Sequence, residues 1–172
     1  TVALSKQGEW PVYISLYKGK GLLIGWLRVA NDGTNDIFGP LGWMKPNLPA
    51  SKLYKPGFSI GSEAIGSLYL PPSGAANMLQ ITNGLVVLSG GNLPNSINPV
   101  TFGPSSKLVN NGPNTLSLTF TPASGLFTGK FKEAGSSTTF IIKGAVLQRQ
   151  NNASGYAPGA NQSGRVLFES AP

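Results

Sequence analysis

The chain has 172 residues, enough to bury about 70% of the surface its unfolded form exposes, and one domain over 1–172 is the simplest reading. It contains neither Cys nor His, which removes disulfides, thiolate nucleophiles, Ser-His-Asp triads and imidazole metal ligands together. The net charge of +7 comes from 13 cations set singly along the chain, not clustered among aromatics, so nucleic acid is not an expected partner.

Other composition terms point to strands. With 23 Gly, 14 Pro and only 11% charged residues, the chain is rich in turns and poor in material for solvent-facing helices. No apolar run approaches the ~18 residues of a membrane helix, so membrane insertion is not expected. The first residue is Thr1, with neither Met nor a signal peptide, which fits a processed product or an excised domain.

In chain order, residues 1–11 read as an entry segment ending at Trp10-Pro11, with Trp10 plugging one end of a barrel or sandwich. Residues 12–17 alternate, Val12, Ile14 and Leu16 on one face and Tyr13, Ser15 and Tyr17 on the other. Lys18-Gly-Lys-Gly21 predicts a hairpin turn centred on Gly19-Lys20, which places Tyr13 opposite Trp26 and Tyr17 opposite Leu22. A loop around Asp32-Gly33 follows, then a strand from Ile37 to about Met44 with Trp43 inward, a loop over 46–57 and a fourth strand over 64–70. Residues 71–113 read as a connection, within which Asn83-Gly84 predicts a hairpin between 78–82 and 85–89, and 99–102 with 107–109 a further short pair.

The chain then repeats itself. Gly21-Leu-Leu-Ile-Gly-Trp-Leu27 returns as Gly125-Leu-Phe-Thr-Gly-Lys-Phe131, Val12-Tyr-Ile-Ser-Leu16 as Leu116-Ser-Leu-Thr-Phe120, Ile37-Phe-Gly-Pro-Leu41 as Ile142-Lys-Gly-Ala-Val146, and Tyr54-Lys-Pro-Gly57 as Tyr156-Ala-Pro-Gly159. Four anchors in one order predict an internal duplication, with units over about 12–70 and 116–169. The expected fold is all-β: an antiparallel barrel or two-sheet sandwich of ten to twelve strands with pseudo-two-fold symmetry.

The duplication also predicts sidedness. Positions apolar in both copies (Leu23/Phe127, Gly25/Gly129, Leu27/Phe131) read as interior. Their alternates (Ile24/Thr128, Trp26/Lys130, Arg28/Lys132) read as exterior, since a Lys at an equivalent position marks the solvent side. The first copy then carries an outward patch of Tyr13, Tyr17, Leu22, Ile24 and Trp26, where the second has Ser117, Thr121, Leu126, Thr128 and Lys130. Sugar rings stack their C–H faces on such aromatics while amide-rich loops bond the hydroxyls, so Trp26, Tyr13, Tyr17, Ile24 and Arg28 are the candidate ligand-binding residues. The same patch could instead meet the 71–113 connection or a neighbouring protein domain.

Catalytic and metal chemistry find less support. Six carboxylates exist (Glu9, Asp32, Asp36, Glu63, Glu133, Glu169), and nothing in the sequence pairs them as glycoside hydrolysis requires. No Gly-x-Ser-x-Gly elbow is present. Asp32 and Asp36 could supply oxygens to calcium, but the loop reads more simply as an Asx-rich turn. Neither enzyme activity nor a cofactor is expected.

Gly-Leu-Phe-x-Gly-x-Phe, followed by Phe140-x-x-x-Gly144-Ala-Val-Leu-Gln148, Gly155-Tyr156 and Asn161-Gln-Ser-Gly-Arg165-Val, is similar to the C-terminal module of very large secreted proteins of environmental bacteria. Trp10-Pro-Val-Tyr-x-Ser-Leu-Tyr17 with Gly25-Trp26-Leu27 resembles the start of that module. The resemblance implies an extracellular or cell-surface setting and an all-β fold, and brings no activity with it. The expectation is therefore a non-catalytic extracellular module, binding polysaccharide or serving as a structural unit that forms a homo-oligomer or filament.

Overall fold

A computed structural model describes residues 3–30 and 33–172. Among them are 12 strands in two antiparallel sheets, of four and eight strands, and a single 3₁₀ turn, Pro104–Ser106. The all-β expectation holds. Two compact units divide the chain, Thr1–Leu68 and Tyr69–Pro172.

The first unit is a four-stranded meander of β1 (Glu9–Leu16), β2 (Gly21–Val29), β3 (Ile37–Lys45) and β4 (Phe58–Gly66), in spatial order 1-2-3-4. The first hairpin turns earlier than expected. Leu16 pairs with Gly21 and Tyr13 with Ile24, so the turn holds four residues and Trp26 faces Pro11, not Tyr13. Tyr17 and Lys18 have φ of 53° and 59° ahead of Gly19 at 84°. Left-handed backbone at two non-glycine residues is unfavourable alone. Here the Tyr17 ring covers Gly21, and the Lys45 ammonium lies 5.4 Å from the ring centroid.

Lys45 is buried and donates to the Tyr54 carbonyl (2.9 Å), which ties the 46–57 loop to the end of β3. The loop falls where expected, but the fourth strand begins at Phe58, six residues before Ala64. At the other end of the sheet, the Asp36 carboxylate accepts the Leu68 N–H (2.7 Å). Asp32 lies outside the described residues, and among those described no three acidic groups gather to hold a metal.

The second unit contains β5 (Asn83–Ser89), β6 (Ser96–Gly103), β7 (Lys107–Asn110), β8 (Thr115–Thr121), β9 (Leu126–Lys132), β10 (Phe140–Leu147), β11 (Asn152–Pro158) and β12 (Ser163–Ser170). Their order, 7-6-5-12-11-10-9-8, curls until β7 approaches β8 and nearly closes a barrel. The expected connection thus supplies three strands. The β6–β7 pair matches the short pair anticipated there, with Phe102 opposite Leu108.

Asn83-Gly84 is not a turn. Both residues lie in β5, and Gly84 is held there by the Phe168 ring, 2.5 Å from where a Cβ would stand. The reversal instead uses Gly90, Gly91 and Asn92, all at positive φ. β11 forms despite Asn, Ser and Gly, residues sparse in strands; Tyr156 sits within it, opposite Lys143, whereas Tyr54 sits in a loop.

One core fills this unit, built from Phe102, Phe120, Phe127, Phe131, Phe168 and the aliphatics between them. Each such ring taken fully from water contributes roughly 1.5–3 kcal/mol. Glycine makes room for the largest. Phe127 lies across Gly144 and Gly155, where a Cβ would come within 2.4 and 3.0 Å of its ring. The flanking inward positions of β11 are Ala153 and Ala157, both fully buried. At the barrel seam, buried Asn98 donates to the Val86 carbonyl (3.0 Å) and accepts from Asn114 Nδ2 (2.8 Å), while Asn114 Oδ1 accepts the Ala134 N–H.

Candidate binding surface

The pairing register of the first unit assigns every side chain to one of two faces. Tyr13, Ile24 and Gly42 share a row across β1–β3, and Gly61 completes it on β4. Pro11 and Trp26 stand in the next row, with Pro40 and Glu63 continuing it on β3 and β4. Glu9, Arg28, Phe38 and Ile65 form the row beyond.

On this face Trp26 is 59% exposed, Tyr13 65% and Ile24 48%. They form a diagonal apolar stripe, Tyr13 opposite Ile24 and Trp26 two residues further along β2. Arg28 lies at its end with the Glu9 carboxylate 4.0 Å away. That pair is solvent-exposed and contributes little to stability, which leaves the guanidinium able to exchange partners.

Beyond Ile24 its row carries no side chains on β3 and β4. Gly42 and Gly61 are direct cross-strand partners. Above Gly61 nothing lies within 4 Å of a Cβ position, and above Gly42 only Ile24 does, at 3.7 Å. A shallow depression of about 530 Å³ lies against β3 and β4, lined by Pro40, Leu41, Gly42, Gly61, Ser62 and Glu63. Four of those six, Pro40, Gly42, Gly61 and Glu63, belong to the Trp26 face. The ladder is broken next to Trp26, where Pro40 lacks an N–H and Gly39, at φ 146°, has no room for a side chain: a Cβ there would stand 2.4 Å from the Trp26 carbonyl oxygen.

Sequence reasoning therefore finds Trp26, Tyr13, Ile24 and Arg28 together on one exposed face. Tyr17 does not join them: it belongs to the turn and lies over Gly21, on the opposite face, because β1 ends two residues earlier than the Gly-Lys signal suggests. Pro40, Gly42, Gly61 and Glu63 escaped notice. The cross-strand Gly pair becomes visible only once β4 is known to start at Phe58.

The opposite face is apolar as well. Val12 and Leu27 are buried there, but Ile14, Val29, Trp43 and Ile60 are each 38–48% exposed. Trp43, expected inside, keeps 39% exposure, with Phe58 meeting its ring edge-on at 5.0 Å. The second unit differs: the outward positions of β8 and β9 include Ser117, Thr119, Thr121, Thr128 and Lys130, ordinary solvent-facing groups, with Leu126 the one large apolar side chain among them at 54% exposure.

Compared with family models, curated proteins and solved structures, the chain finds no match.

Proposed function

We propose that the four-stranded sheet is a non-catalytic, extracellular polysaccharide-binding surface. Trp26 and Tyr13 supply stacking faces, Ile24 fills the space between them, and Arg28 and Glu63 meet hydroxyls at the margins. The observation that carries this reading is an exposed Trp and Tyr beside a cross-strand glycine pair that leaves the backbone bare. Flat apolar rings beside a smooth trough suit a pyranose chain, which presents C–H faces and equatorial hydroxyls alternately. The extracellular setting rests on the resemblance to secreted bacterial modules.

The test is affinity electrophoresis through gels containing soluble glycans. Retardation by at least one glycan is expected, with Trp26→Ala reducing affinity about tenfold, the loss of one good stacking contact. Retention of affinity in that variant, or no retardation by a broad glycan panel, overturns the reading.

A structural or assembly role is the second reading, favoured by the apolar opposite face with Ile14, Trp43 and Ile60 half-exposed. We further infer that β1–β3 and β8–β10 descend from one ancestral meander. Both are antiparallel three-strand runs with the repeated Gly25 and Gly129 on the middle strand of the first hairpin, although Gly25 pairs with Val12 and Gly129 with Leu118, a two-residue shift relative to the sequence alignment.

A further inference from the structure

The four-stranded sheet has two edges, β1 and β4, and their sequences meet solvent differently. Open edges expose unpaired N–H and C=O groups that template another strand, and natural sheets blunt them with Pro, Lys, bulges or cover. β1 has Pro11 within it, which offers no N–H. β4 has no such device. Its nine residues, Phe-Ser-Ile-Gly-Ser-Glu-Ala-Ile-Gly, contain no Pro, Lys or Arg and pair with β3 in continuous register without a bulge. Residues 59–63 are all exposed.

We propose that β4 pairs antiparallel with β4 of a second copy of this chain, across a two-fold axis through Ser62. Ser62 is the midpoint of Phe58–Gly66, so this register alone pairs all nine residues. It also suits the side chains. Gly61 opposes the partner's Glu63, which gives that carboxylate room, and Ile60 opposes the partner's Ala64, a large residue against a small one on the apolar face. A register centred one residue later sets Glu63 against the partner's Glu63, and like charges directly opposed are destabilising. The strand therefore disfavours a near alternative to its own symmetric pairing. A joined sheet of eight strands keeps each face continuous. It holds two Trp26 stripes on one face, five strand spacings or roughly 24 Å apart. The pairing stands on the edge itself and does not depend on sugar binding.

The chain has no cysteine, which makes the test clean. Ser62→Cys places two thiols in cross-strand contact in the proposed dimer. Ser59→Cys, also exposed on the same strand, places its thiol opposite the partner's Ile65. Under mild oxidation Ser62→Cys should form a covalent dimer about tenfold or more faster than Ser59→Cys, the gain of an intramolecular-like encounter. Sedimentation velocity of the unmodified chain should show a monomer–dimer equilibrium. Equal cross-linking of the two variants, faster cross-linking of Ser59→Cys, or assemblies that grow beyond the dimer would each overturn the proposal. Trp26→Ala should leave the cross-linking difference intact even where glycan retention is lost, so the two ideas fail separately.

Discussion

Replacing Asn98 by Ala should weaken the eight-stranded unit more than any exposed polar substitution. Asn98 is fully buried; its amide donates to the Val86 carbonyl at 3.0 Å, and its oxygen accepts from Asn114 at 2.8 Å. The substitution removes two good hydrogen bonds, each worth about 1 kcal/mol net, and leaves the Val86 carbonyl without its amide partner, for a total near 3 kcal/mol. For a unit of about 100 residues that loss corresponds to roughly 12–24 °C in Tm. The assay is thermal and urea unfolding followed by far-UV circular dichroism. Asn111→Ala is the control, since that exposed amide bonds only the Thr101 hydroxyl (2.8 Å) and its loss should cost at most about 0.5 kcal/mol. An Asn98→Ala variant no less stable than Asn111→Ala would refute the idea that this amide latches the seam.

Two further outcomes follow from the geometry. A Cβ at Gly129 would stand 2.2 Å from the Ser117 carbonyl, so Gly129→Ala should cost about 3 kcal/mol or more, whereas Gly42→Ala, with open space above it, should be close to neutral; urea midpoints compare them. Burial raises the Tyr69 phenol above its ordinary value of 10.0, and its hydroxyl donates to the Pro122 carbonyl. The fold thus favours the protonated phenol: this contribution is complete below pH 10 and is lost as pH climbs through the raised value. Tyr69→Phe should flatten the alkaline limb of the stability profile, and an unchanged limb counts against this assignment.

The period-two sidedness of β2 and β9 was legible in the sequence from alternation alone: Lys130 marks the outer side of β9 because charge is costly to bury, and Trp26 alternates with the buried Leu27 on β2. The sequence disclosed β6–β7 through plain alternation. It misled wherever a glycine served packing instead of turning: Gly84 reads as a hairpin apex but yields space to Phe168. Asn152, Ser154 and Gly155 read as loop, yet they form a strand whose inward positions must be small because Phe127 crosses them. Such choices depend on partners far along the chain. The candidate surface divides in the same way, since alternation exposes Trp26 and Tyr13 while only the cross-strand register brings Gly42 beside Gly61.

The position of β12 has a consequence for how the molecule comes into being. This strand lies between β5 and β11, in the interior of its sheet, and carries Val166 and Phe168, both wholly enclosed. β5 and β6 emerge from the ribosome some 60 residues before the strand that must join them to β11. Until synthesis reaches Ser170 the early strands have no central staple, so this sheet is completed only by the last strand made.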